Sequence, residues 1–122
     1  MDLENADNKE LIRGLISKTD ELLKNRLALL AYQTAYMKAK EEIVRTDNAF
    51  MREIANKKDA NGPKFKNAEA RNAELNARQQ TDGDYQKLIE TRNESWFQMK
   101  KQEAEIMHTH DEIQNIRLVL SL

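Results

Sequence analysis

The stretch IRGLISKTDELLKNRLALLAYQTAYMKAKEEIVRTDNAFMREI, residues 12–54, decides the fold. One heptad position in it reads Leu15, Leu22, Leu29, Tyr36, Ile43, Phe50, and the next reads Ile16, Leu23, Leu30, Met37, Val44, Met51. Two neighbouring apolar columns that recur at every seventh residue describe a long helix buried along one side by other helices. Such a helix is about 60 Å long, at roughly 1.5 Å per residue. With Leu15 at d and Ile16 at e, the a position between them reads Ile12, Thr19, Arg26, Gln33, Lys40, Asp47, Ile54. A plain two-stranded zipper has apolar residues there. The polar middle of this column predicts one of two arrangements. Either the seam is wet and long side chains reach out of it, or the polar groups pair with a second helix and fix its register.

Upstream, Asp7 with Glu10 three residues later is expected to cap this helix, which then spans about 8–57. Downstream, Asn61-Gly62-Pro63 is a stop signal, with glycine as the left-handed cap and proline unable to continue. Asn67 predicts a fresh N-cap for a short alanine-rich helix over 68–80, with little apolar surface beyond Leu75; loop and short helix together occupy about 58–82. Thr81 with Asp84 predicts a capping box for a last helix over about 84–121, with Gly83 as the flexible residue before it. That helix carries Tyr85, Leu88, Ile89, Trp96, Met99, Ile106, Ile113, Ile116 and Leu120 on one side, interrupted by Arg92, Glu103, His110 and Arg117. Both long helices thus alternate apolar and polar layers. The expected fold is all-α: one helical domain of two long antiparallel helices with a short helix between them, in a register that sets Asp47 opposite Arg92. A chain this narrow has little interior, so a homo-oligomer or a protein partner is expected to complete the burial.

Apolar residues make up 39% of the 122 and charged residues 34%, which suits long helices solvated over most of their circumference. A formal net charge of −1 gives no global bias towards nucleic acid or membrane. No cysteine is present, which excludes disulfides and thiolate metal sites. The start, Met1-Asp2-Leu3-Glu4-Asn5, has neither a basic nor an apolar signal region, and no apolar run is long enough for a membrane span. The expectation is a cytoplasmic protein that does not engage membranes.

Signals for chemistry are sparse. Glu105-Ile106-Met107-His108 matches one Glu-x-x-His half-motif, but a di-iron bundle needs two of these plus two further glutamates. A solvated His108 and a seam-lining His110 are expected instead, with no metal and no cofactor. There is no phosphate-binding glycine loop and no nucleophile beside a base, so the chain is read as no enzyme. Trp96 and Phe97 put two large aromatics side by side, Trp96 in the core column and Phe97 just off it. With Tyr36 and Phe50 they are the candidate partner-binding residues. The segment 57–78 carries Lys57, Lys58, Lys64, Lys66, Arg71 and Arg78 around Phe65, against Asp59, Glu69 and Glu74. Basic residues beside an aromatic suit a phosphate backbone with a stacked base. They equally suit the solvated tip of a helical protein.

Gly62-Pro63-Lys64-Phe65-Lys66-Asn67-Ala68-Glu69-Ala70-Arg71 with Leu75, then Asp84-Tyr85-Gln86-Lys87-Leu88 and the closing Arg117-Leu118-Val119-Leu120, resembles a pattern in small coiled-coil proteins of phages and prophages. The resemblance covers the C-terminal half, carries no catalytic residue, and implies an accessory factor, some of which belong with phage recombination genes. A prefoldin-like chaperone is set aside, because such subunits need β-strand segments at the turn and residues 68–75 read as helix. The reading that follows is a non-enzymatic protein-interaction module, an accessory or regulatory protein that docks helical surface on a partner. The alternatives are a nucleic-acid-binding recombination accessory using residues 57–78, and an inhibitor of a host enzyme or defence nuclease.

Overall fold

A computed structural model describes residues 2–122, with side chains from Asp7 onward, so the reading of the Met1–Asn5 side chains lies outside the described residues. The chain is all-α apart from one short strand pair. Its elements are α1 (Asp2–Asn56), β1 (Lys58–Asp59), β2 (Gly62–Pro63), α2 (Ala68–Thr81) and α3 (Gly83–Leu120). The two long helices pack together within each of two compact units, Met1–Gln33 with Trp96–Leu122, and Thr34–Ser95.

In the first unit Leu22 and Ile113 are buried and Thr109 is 1% exposed. Lys18 Nζ meets Glu112 Oε2 at 3.0 Å, and a Cβ on Gly14 would lie 3.7 Å from Ile116 Cδ1. That is an ordinary van der Waals distance, so an alanine at residue 14 would fit against Ile116 and spare the helix the cost of a glycine. In the second unit Ala39, Ile43, Ile54, Tyr85 and Ser95 are buried, and the Phe50 and Tyr85 rings stand 5.9 Å apart. Here α2, which has no buried residue, is fastened to α1 by polar groups. Gln79 Nε2 donates to Asp47 Oδ1 at 2.8 Å, and Arg78 bridges Glu53 at 2.8 Å and Glu74 at 3.0 Å.

The buried stripe of α1 is displaced by one column from the expected one. The d column is inside: Leu22 and Ile43 are buried, and Leu15, Leu29, Tyr36 and Phe50 are half-buried. Its companion is the g column, where Leu11, Lys18, Asn25, Tyr32 and Thr46 are half-buried and Ala39 is buried. The whole e column faces solvent, with Ile16, Leu23, Leu30, Met37, Val44 and Met51 each between 53% and 59% exposed. Small residues mark the covered side. Ala28, Ala35 and Ala39 sit beside the d column, and Ser95 and Thr109 of α3 are buried, so this side has room for a second helix while the large e-position side chains stay outside. In the a column Thr19, Arg26 and Lys40 are exposed, so it does not line the seam; only Gln33, Asp47 and Ile54 are covered to any extent.

The α3 seam follows its sequence reading at Tyr85, Leu88, Met99, Ile106, Ile113, Ile116 and Leu120, and departs from it at residues 95–96 and 109–110. Its inward residues are Tyr85, Leu88, Arg92, Ser95, Met99, Gln102, Ile106, Thr109, Ile113, Ile116 and Leu120. Ser95 and Thr109 therefore hold the places expected for Trp96 and His110, which are both exposed, as is Arg117. The expected pairing of Asp47 with Arg92 is replaced as well. Asp47 meets Gln79 and faces Tyr85, while the Arg92 guanidinium donates to Asn93 Oδ1 at 3.1 Å.

Element ends follow local chemistry. Asp7 lies inside α1, which begins at Asp2, so it is not the cap. Past Asn56, Lys58 pairs with Pro63 and Asp59 with Gly62 in an antiparallel two-residue ladder, a strand pair that the helical stop signal does not announce. Gly62, at φ 107°, serves this turn and not a helix cap, and Asn61 N–H donates to Asp59 Oδ1 at 2.8 Å. Asn67 caps α2 by accepting from Ala70 N–H at 2.8 Å. The cap of α3 is Asp82, which accepts from Tyr85 N–H at 2.8 Å, while Thr81 donates back to Ala77 O inside α2. Gly83 does not have a positive φ, so the break rests on Asp82 alone.

Candidate interaction surface

Heptad spacing places large apolar side chains outside as well as inside. On α1, the first unit presents Ile16, Leu23 and Leu27, and the second presents Met37, Val44 and Met51. On α3, Trp96 is 48% and Phe97 58% exposed, with Met107 and Leu118 further along. Lys100 Nζ lies 5.7 Å from the Trp96 ring centroid, covering one face of the indole with a cation. Of the four expected partner-binding aromatics, Trp96 and Phe97 are thus accessible. Phe50 and Tyr36 are not: Phe50 packs on Tyr85, and Tyr36 is half-buried in the d column under Lys40, whose Nζ is 5.2 Å from its ring.

In the second unit Lys38, Lys40, Arg45 and Arg52 border the exposed row, and all four are exposed. Arg45 bonds Glu42 at 2.6 Å. Two depressions lie along this side of the unit. One is bounded by Met37, Lys40, Glu41, Val44 and Arg45. The other, a cleft of about 190 Å³, is lined by Met51, Ile54, Ala55, Ala68, Arg71, Asn72 and Leu75.

The segment expected for nucleic acid is divided by the fold. Arg78 is engaged by Glu53 and Glu74, and Arg71 donates to Phe65 O. Phe65 is half-buried, with Lys64 Nζ 5.5 Å from its ring, so its face is already shared with a cation. Lys57, Lys58, Lys64 and Lys66 remain exposed around the strand pair.

Among the described residues three groups have displaced pKa values, and each has a structural cause. Glu112 is lowered, first by the hydrogen bond from Lys18, and Lys18 is raised by the same bond. Burial pushes the Tyr85 hydroxyl up, and the Asp47 carboxylate beside it adds to the effect. Tyr85 therefore contributes to stability fully below the ordinary phenol value of about 10, and the contribution is lost as pH rises through the higher folded value. Alkaline titration of unfolding free energy should show a steeper loss above pH 10 for the wild type than for Tyr85→Phe. Parallel curves would remove Tyr85 from this role.

His108 Nε2 pairs with Glu112 Oε1 at 3.1 Å, and the exposed His110 ring is 3.5 Å from Gln114 Nε2. Among the described residues no three histidine, cysteine, aspartate or glutamate side chains are grouped to hold a metal ion, and no helix is long and apolar enough to cross a membrane. The chain matches no family model, no curated protein and no solved structure.

Proposed function

We propose that the protein is a non-enzymatic helical interaction module, which docks its outward apolar columns on other helices, a second copy of itself among them. The observation that carries this reading is the e column of α1, whose six large side chains stay more than half exposed. Single exposed apolar residues are ordinary on a soluble surface. A row of them at heptad spacing is what a helix partner covers.

Within each unit we take α1 and α3 to run antiparallel. In the first unit residue 14 approaches 116 while 18 meets 112, one number rising as the other falls. In the second, Ala39 and Glu42 border Leu88 and Thr91, and Phe50 meets Tyr85. Such a module suits the small accessory or regulatory role of the phage coiled-coil proteins that its C-terminal half resembles.

Self-docking is assigned to the first unit, where Leu23 is flanked by charges of both signs: Lys24 and Arg26 against Asp20 and Glu21. Light scattering on the intact chain should give a molar mass above the 14.2 kDa of one copy. Leu23→Asp should return it to one copy without loss of helical circular dichroism, since the side chain is exposed. A wild type that remains single throughout the micromolar range overturns self-docking.

A further inference from the structure

On the outer face of α1 in the second unit more cations than carboxylates are left without an internal partner, and this selects the occupant. We infer that Met37, Val44 and Met51 receive an acidic amphipathic helix of a partner protein, carrying apolar residues at heptad spacing and carboxylates on both flanks. The inference rests on the interaction-module reading and names the partner chemistry of one of its faces.

The shape of the face points to a helix. Met37, Lys40, Glu41 and Val44, which bound the first depression, stand at i, i+3, i+4 and i+7. This is the four-residue diamond into which a side chain of a facing helix inserts as a knob. The same unit contains the internal counterpart. On the side of α1 that faces α3, Ala35, Lys38, Ala39 and Glu42 form the same diamond, bordered by Leu88 and Thr91. One helix thus carries two such holes, one met by its own chain and one turned outward. The row also keeps a strict seven-residue step, and a straight helix drifts by about 20° per heptad against that step. A partner helix that coils with α1 stays on the row, whereas a flat lipid surface does not. Beyond Met51 the row runs into the cleft lined by Ile54 and Leu75, which offers the partner's end an apolar seat beside Arg71. Met37 and Met51 supply adaptable surface for side chains of uneven size.

Charge selects the partner. Lys38, Lys40, Arg45 and Arg52 lie along the row with Glu41, Glu42, Asp47 and Glu53; Arg45 holds Glu42, Gln79 holds Asp47 and Arg78 holds Glu53, which leaves Lys38, Lys40 and Arg52 against Glu41 among the described residues. Glu41 is the single carboxylate that lines the outer diamond. A second copy laid on this row would set these cations against their own equivalents, a like-charge juxtaposition that disfavours pairing. A helix with glutamate or aspartate on its flanks meets them with opposite charge. Cation–π contact of Lys40 with Tyr36 leaves its ammonium exposed for such a meeting.

The test uses the intact chain and two labelled synthetic helices of about three heptads, both with leucine at the core positions. One has glutamate and the other lysine at the flanking positions. Fluorescence anisotropy should show the glutamate peptide binding, the lysine peptide binding at least about tenfold more weakly, and the difference shrinking as salt rises. Val44→Asp should weaken the glutamate peptide by about tenfold or more with helical content unchanged, because Val44 is exposed. A combined Lys38→Glu, Arg45→Glu, Arg52→Glu chain should reverse the preference between the peptides. Equal binding of both peptides, or a Val44→Asp chain that binds as the wild type does, overturns the inference. So does phosphatidylglycerol-vesicle binding that exceeds peptide binding and is lost on Val44→Asp, or a molar mass that falls on Val44→Asp alone, which would make the occupant a lipid surface or a second copy. If no peptide binds while Leu23→Asp still lowers the molar mass, the acidic-helix inference fails and the wider module reading stands.

Discussion

Truncating Ile54 to alanine is expected to lower the unfolding free energy by about 3 kcal/mol. Ile54 is the most covered large apolar side chain of the second unit, at 2% exposure. It lies at the a position, where the column from Thr19 to Asp47 is polar, and it lines the cleft with Leu75 and Ala68 of α2. That cleft already holds about 190 Å³ of free space, so the atoms removed enlarge a cavity whose walls are not free to close on it. The polar fastenings Asp47–Gln79 and Arg78–Glu53 hold α2 where it is. Urea denaturation followed by circular dichroism measures the loss, and Met51→Ala, on the exposed side of the same cleft, is the control at about 1 kcal/mol or less. A loss from Ile54→Ala no greater than that of the control would mean that α2 does not cover it.

The second large effect tests which of Ser95 and Trp96 lies in the α3 seam. Ser95 is 6% exposed and Trp96 is 48% exposed. Placing an indole at residue 95 should cost about 3 kcal/mol, because a buried serine leaves no room for it and the seam must be forced apart. Removing the indole in Trp96→Ser should cost less than about 1 kcal/mol, as at other exposed positions. Had Trp96 occupied the seam, the second change would be the damaging one. Trp96 is the sole tryptophan, so its emission gives an independent reading: a wild-type spectrum that is blue-shifted and shielded from iodide would contradict the exposed placement.

The helical character of the chain was legible in the sequence because heptad recurrence survives without knowledge of the partner. Asn67, as an N-cap, was legible for the same reason: its hydrogen bond to Ala70 N–H lies within its own turn. The rotation of α1 was not legible. Columns d and e of α1 are equally apolar, so hydrophobicity alone cannot say which of them the chain itself covers. The deciding information is in the small residues Ala28, Ala35 and Ala39, which look like mere helix formers until a second helix lies against them. On α3 the seam was legible from Tyr85 to Leu120 except where the large Trp96 stands beside Ser95 and His110 beside Thr109, because the buried Ser95 and Thr109 are polar enough to pass for surface. Asp47 was placed opposite Arg92 by charge, although its partners Gln79 and Tyr85 are neutral and lie at the α2–α3 junction. The strand pair at Lys58–Pro63 escaped notice because two residues per strand leave no alternation to read. Of the candidate surface, the residues were visible as a column, but the cations on its flanks gain meaning only once that column is known to face outward.

The two diamonds on α1 have a consequence for how evolution can tune this protein. Because inner and outer rows share one helix, the pitch shown to a partner is set by residues the partner never touches. Enlarging Ala35 or Ala39 would push α3 away, change the winding of α1 and move Met37 and Val44 out of step with a docked helix. Small side chains on the hidden face therefore act as the gauge for fit on the open one, and binding specificity can drift through substitutions that leave the contact surface itself untouched.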